Sequence, residues 1–174
     1  FHIQLTPENP EDDHFRMEDR QRLFDILQPY PNVLMMSAHT HKQTQLFYGK
    51  KEGWDGIKKL HEYNAGTTSG DWYSGRADGI GVPLSTMRDG TFRGYSFIDF
   101  KDNQYNIKYK VAGQPEDFQI NIHIPKVLPY PVDTTAEIFA NFFIGEKNSM
   151  VEYRIDDGNW KNMKYTETFD PAYT

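Results

Sequence analysis

The feature that most restricts this chain is Val33-Leu34-Met35-Met36, an uninterrupted apolar run that ends in Ser37-Ala38-His39-Thr40-His41. A run this short, arriving after Pro29 and Pro31 close a helical pattern, reads as a strand buried on both faces. In open α/β sheets, ligand sites gather in the loops beyond the carboxyl ends of strands. His39 and His41 stand in such a loop. Side chains alternate along a strand, so two imidazoles one residue apart cannot share a strand face. In a tight loop both can turn towards one centre. Imidazole nitrogen suits Mn, Fe and Zn. The chain has no cysteine, so any metal must be held by nitrogen and oxygen. A bare His-x-His is also compatible with two ordinary loop histidines.

The flanking pattern sets the fold class. Phe1, Ile3 and Leu5 alternate as a short strand, and Pro7 and Pro10 make a loop carrying Glu11-Asp12-Asp13. From about Phe15 to Leu27 a helix is expected, with Leu23, Phe24, Ile26 and Leu27 as its apolar side. Residues 64–94 are rich in Gly, Ser, Thr and Asp and read as a long looped stretch. Tyr95–Phe100 and Tyr105–Val111 read as a hairpin. Further alternation runs through Phe118–Ile124, Ile138–Ile144 and Val151–Ile155, with Pro129 and Pro131 marking a linker. Aromatic residues are 15% of the chain, which favours pleated, half-buried surfaces. The expectation is a mostly β, α+β chain.

Bulk properties remove some functions. The net charge is −6 and Lys and Arg are not clustered, so nucleic acid is not expected as a partner. Val33–Met36 is far too short to span a bilayer, and no transmembrane segment is expected. The chain opens on Phe1-His2-Ile3, like the inside of a strand, and is expected to be a piece of a longer protein.

Val33–Met36 with Ser37-Ala38-His39-Thr40-His41 resembles the last metal motif of calcineurin-like metallophosphoesterases, an apolar strand followed by Gly-His-x-His. Phe1-His2-Ile3-Gln4-Leu5 resembles the preceding motif, in which one histidine closes a strand. Downstream, Ala65–Gly75, Gly79–Pro83, Met87–Tyr95, Asn141–Ile144 and Val151–Trp160 resemble a bacterial branch of that family with an extra C-terminal β domain. The resemblance implies that residues 1–112 are the C-terminal part of a four-layer phosphoesterase core. Residues 113–174 would be part of a β-sandwich-like domain. It implies two divalent metal ions (Mn, Fe or Zn), with His2 and His39 on one and His41 on the other, and a phosphoester substrate. The ions would lower the pKa of a bridging water whose hydroxide attacks phosphorus. With all three histidines on metal, no general acid is nominated. By the same resemblance, Trp72 and Tyr73 are candidates to line the substrate pocket, and Arg88 and Asp89, in another Gly-flanked turn, have the same status. An envelope or secreted bacterial location fits the multi-domain architecture.

The resemblance has gaps. Ala38 replaces the family's glycine. An early Asp-x-His, a Gly-Asp and a Gly-Asn-His have no match in the right order. Asp12-Asp13-His14, Gly70-Asp71 and Gly158-Asn159 carry some of the letters but read as turn and cap residues. The metal site of this chain alone is therefore expected to be incomplete. Trp54 and Trp160 are expected to pack in the core or against loops, and His61 and His123 to be ordinary strand histidines. The alternative function is a carbohydrate- or protein-binding module without catalysis, in which the histidines are incidental.

Overall fold

The computed structural model describes residues 1–9, 11–12, 17–128 and 136–172. The expectations for Pro10, Asp13, His14, Phe15, Arg16, Pro129 and Pro131 lie outside that set. The described residues form one α-helix, α1 (Met17–Leu27), a short 3-10 helix (Lys50–Glu52) and nine strands: β1 (Leu34–Ser37), β2 (Thr44–Tyr48), β3 (Leu60–Asn64), β4 (Gly94–Lys101), β5 (Gln104–Val111), β6 (Ile120–His123), β7 (Phe139–Phe142), β8 (Glu152–Tyr153) and β9 (Lys161–Asn162). The class is α+β and mostly β. No described helix is long and apolar enough to cross a membrane.

The first sheet has the order β1-β3-β2. β1 runs parallel to β3 and β2 antiparallel to it. The N-terminal segment lies along the free edge of β1 through a parallel bridge between Ile3 and Ala38. The Ala38 amide donates to the His2 carbonyl at 2.7 Å. β1 is not buried on both faces as its letters imply. Met35 and Ser37 are buried, but Met36 is 46% exposed. One face of the sheet meets α1, and Met36 points to the other.

α1 docks through Leu23, Phe24 and Leu27, packed with Met35, Tyr48, Trp54 and Leu60. Ile26 is exposed, contrary to the expected apolar side. It follows Phe24 by two residues, or about 200° around a helix, and so lies on the opposite face. Trp54 is buried as expected, its indole N–H donating to the Lys58 carbonyl at 2.6 Å.

The central strand β3 has all five residues buried, although they are Leu-His-Glu-Tyr-Asn. Burying so many polar groups requires partners. The Glu62 carboxylate accepts from the Leu5 amide at 3.2 Å and the Tyr48 hydroxyl at 2.5 Å. Burial and this hydrogen bond to Glu62 raise the Tyr48 pKa. His61 stacks on Phe47 with ring centroids 4.5 Å apart, and its Nδ1 lies 2.5 Å from the Tyr105 hydroxyl. Tyr63 shares a 2.5 Å hydrogen bond with Ser96. Tyr105 and Ser96 belong to the β4–β5 hairpin, so the polar side chains of β3 fasten the hairpin to the sheet.

The hairpin turns at Asp102-Asn103, with Asp102 at φ 54°. A second core of Met87, Tyr109, Val111 and Phe143 draws on both sides of residue 112. The C-terminal ribbons β6–β7 and β8–β9 are each two-stranded. Asn141 of β7 donates to the Asp89 carbonyl at 2.7 Å and to the Asp170 carboxylate at 2.8 Å. Gly90, at φ 76°, leaves room for Asp170, because a Cβ there would collide with that carboxylate. His123, in β6, sits 3.2 Å from the same carboxylate. Trp160 is exposed, with the Arg154 guanidinium 5.2 Å from its ring, and is not a core residue.

His61 Nε2 is buried with no hydrogen-bond partner among the described residues. Burial lowers the pKa of this ring below the ordinary 6.5. Below about pH 6.5 the unfolded chain takes up a proton here that the fold resists, so stability is lost as the pH falls from 6.5 towards the depressed folded value. His61→Phe keeps a ring between Phe47 and Tyr105 but cannot titrate. Thermal melts from pH 7.5 to 5 are expected to fall less steeply for the variant than for the wild type. Equal slopes would show that His61 does not titrate in the way its burial implies.

Candidate functional site

Chain connectivity builds the site. β1 and β2 flank β3, so residues 38–43 must arch over the carboxyl end of β3, across two strand spacings or about 9.6 Å. Ala38-His39-Thr40-His41 lies on that arch. Asn64, the last residue of β3 and fully buried, props it from below. Its amide nitrogen donates to the Thr40 hydroxyl and, at 3.3 Å, to the Lys42 carbonyl, and its Oδ1 accepts from the Ser37 hydroxyl at 3.3 Å.

The arch places His39 at φ 76° and His41 at φ 55°. Left-handed backbone costs a non-glycine residue about 1–2 kcal/mol. Two such residues flanking Thr40 are strained backbone held by their surroundings. The result is that both rings leave the strand alternation, but not in one direction. His39 turns to the N-terminal segment, where its Nδ1 lies 3.0 Å from His2 Nε2, with the rings edge to face at 4.9 Å. His41 turns away, and its Nδ1 lies 3.1 Å from Asp71 Oδ1. A carboxylate can only accept, so Nδ1 carries the hydrogen and the neutral ring keeps a lone pair on Nε2.

Asp71 has a second donor. Arg88 Nε donates to the same Oδ1 at 2.8 Å. The Arg88 amide donates to the His41 carbonyl at 3.0 Å, which pins this turn to the arch. Asp89 adds a further tie. Its carboxylate accepts from the amides of Gln43 and Thr91 at 3.1 and 3.2 Å, and burial raises its pKa. Asp71 reads from sequence as a turn residue, yet its carboxylate lies inside the site. No local signal reveals it, because its partners are 30 residues before it and 17 after it.

A cavity of about 480 Å³ is lined by Glu8, Asn9, Asp12, His39, Thr40, His41, Trp72 and Arg88. Trp72 is 64% exposed and meets the His41 ring edge to face at 5.2 Å. Tyr73, the adjacent candidate, is 65% exposed and is not among the described lining residues. Asp12 lies on the lining rather than simply in solvent.

The donor set fits metal in part. Two nitrogens about 2.1 Å from one ion and about 90° apart are about 3.0 Å from each other, the spacing of His2 Nε2 and His39 Nδ1. A histidine whose Nδ1–H is fixed by a carboxylate, as in His41 with Asp71, has the arrangement common in metal-binding imidazoles. Against this, among the described residues no group of three or more His, Cys, Asp or Glu side chains could hold an ion. The chain brings together a pair of donors and a separate single one.

A family model described as the C terminal of calcineurin-like phosphoesterase matches residues 62–174. The chain belongs to that family. The matched stretch contains Asp71, Trp72, Tyr73 and Arg88, whereas His2, His39 and His41 precede it. Comparison with curated proteins and with solved structures returned no match.

The strained arch gives a test. Replacing His39 or His41 by Gly relieves the left-handed cost that Ala retains. Chemical denaturation is expected to find each Gly variant about 1 kcal/mol more stable than the matching Ala variant. Ala variants that are as stable as Gly would mean that neither residue is strained.

Proposed function

We propose that this chain contributes histidines to the metal centre of a phosphoester hydrolase. The observation that carries this is the His2–His39 pair, 3.0 Å apart, with the Asp71-held His41 lining the same cavity as His39, in a chain of the calcineurin-like phosphoesterase family. In this reading His2 and His39 hold one divalent ion and His41 the other. The ions supply Lewis acidity and an activated water. The chain's own residues do the rest. Asp71 fixes the tautomer of His41, so that Nε2 stays available. Asn64 holds the arch in its strained form. Trp72 provides an apolar wall for the leaving group. The family's remaining ligands would come from another part of the full-length protein, so the chain alone is read as inactive and weakly metal-binding.

The experiment is aryl-phosphate hydrolysis by the full-length protein with added Mn or Zn, beside a His39→Ala, His41→Ala double variant. Chelator-sensitive turnover that the double variant loses is the expected result. Equal inactivity of both towards monoesters and diesters would overturn the assignment, and so would equal activity.

Asp71→Asn tests the support of His41 separately. An amide in place of the carboxylate weakens the hold on Nδ1–H, and metal affinity in the full-length protein is expected to fall about 10- to 100-fold. Metal titration followed by calorimetry reads this directly. An unchanged isotherm would remove Asp71 from the site.

A further inference from the structure

Arg88 carries more than a turn residue needs. Among the described lining residues it is the one fixed cation of the cavity. Its Nε is used by Asp71 at 2.8 Å, and its backbone amide by the His41 carbonyl at 3.0 Å. Both Nη groups are without a partner among the described residues, and the side chain is 45% exposed. A guanidinium fixed at one edge has already lost much of its rotamer freedom, so a ligand at the other edge costs less to bind. The free edge is a planar fork of N–H donors that matches two oxygens of a phosphoryl group. Of the two carboxylates on the lining, Glu8 is paired with Lys42 at 2.8 Å.

We infer that Arg88 is a phosphoryl-binding residue that makes the site select phosphomonoesters over phosphodiesters. A monoester carries a charge of about −1.5 to −2 near neutral pH and three non-bridging oxygens. A diester carries one charge and two such oxygens. The fork takes two oxygens, so a monoester keeps a third for the histidine side of the cavity, and a diester keeps none. The cavity volume of about 480 Å³ admits a phosphoryl group with a small organic leaving group against Trp72. The substrate class rests on the phosphoesterase reading, whereas the anion site does not.

Two measurements on the full-length protein separate these layers. The first is calorimetric titration of the metal-free protein with inorganic phosphate, for the wild type, Arg88→Gln and Arg88→Lys. Wild-type binding that weakens about tenfold or more in Arg88→Gln, with Arg88→Lys between, is expected. Absent wild-type binding, or equal binding by a folded Arg88→Gln, overturns the proposal. Should Arg88→Gln fail to fold, the comparison of Arg88→Lys with the wild type decides in the same way. The second measurement is steady-state kinetics with an aryl phosphate monoester and a bis-aryl diester. Arg88→Gln is expected to raise KM for the monoester about tenfold more than it raises KM for the diester. Parallel losses on both esters overturn the selectivity. If the wild type hydrolyses neither ester, the phosphoesterase reading falls, and the phosphate titration still decides whether Arg88 binds an anion.

Discussion

The structure depends on the burial of β3. A strand of Leu-His-Glu-Tyr-Asn placed at the centre of a sheet brings polar atoms into a region without water. Each polar side chain then recruits a partner from a different part of the chain. Glu62 reaches Leu5 and Tyr48, His61 reaches Tyr105, Tyr63 reaches Ser96, and Asn64 reaches Thr40 and Lys42. An aliphatic strand would pack as well, but it would not specify which segments lie beside it. The same four side chains thus tie down the N-terminal segment, β2, the β4–β5 hairpin and the histidine arch.

That burial also explains what the amino-acid pattern leaves hidden. α1 and the β4–β5 hairpin are legible because their apolar residues recur at helical and strand periods. β2 and β3 are not assigned from the sequence, since a strand whose polar groups are satisfied inside the fold looks like one facing solvent. Met36 fails for the opposite reason. Four apolar letters in a row imply two covered faces, yet the sheet is covered at Met35 and partly open at Met36. Ile26 shows that an apolar residue in a helix is placed by angle, not by proximity to others.

The site divides along the same line. His39 and His41 stand out because two imidazoles so close in sequence are chemically conspicuous. Their left-handed backbone is not visible, because it comes from the need to cross β3 and not from the residues themselves. His2 is suggested only by resemblance, and the structure sets it 3.0 Å from His39. Asp71, Asn64 and Arg88 act through partners distant in sequence, so no spacing rule singles them out. Conformation and long-range pairing, more than residue type, separate the functional groups from their neighbours.

One oxygen, Asp71 Oδ1, accepts from both His41 and Arg88. The two donors share a single negative charge, so neither is independent of the other. A ligand that draws the guanidinium outwards leaves more of that charge to the imidazole and makes Nε2 a better electron-pair donor. Thermodynamic linkage requires the reverse as well: whatever loads Nε2 changes the affinity of the guanidinium for its ligand by the same factor. Under the proposed function the two halves of the cavity would form one coupled binding unit, with occupancy of either side felt by the other through a single atom.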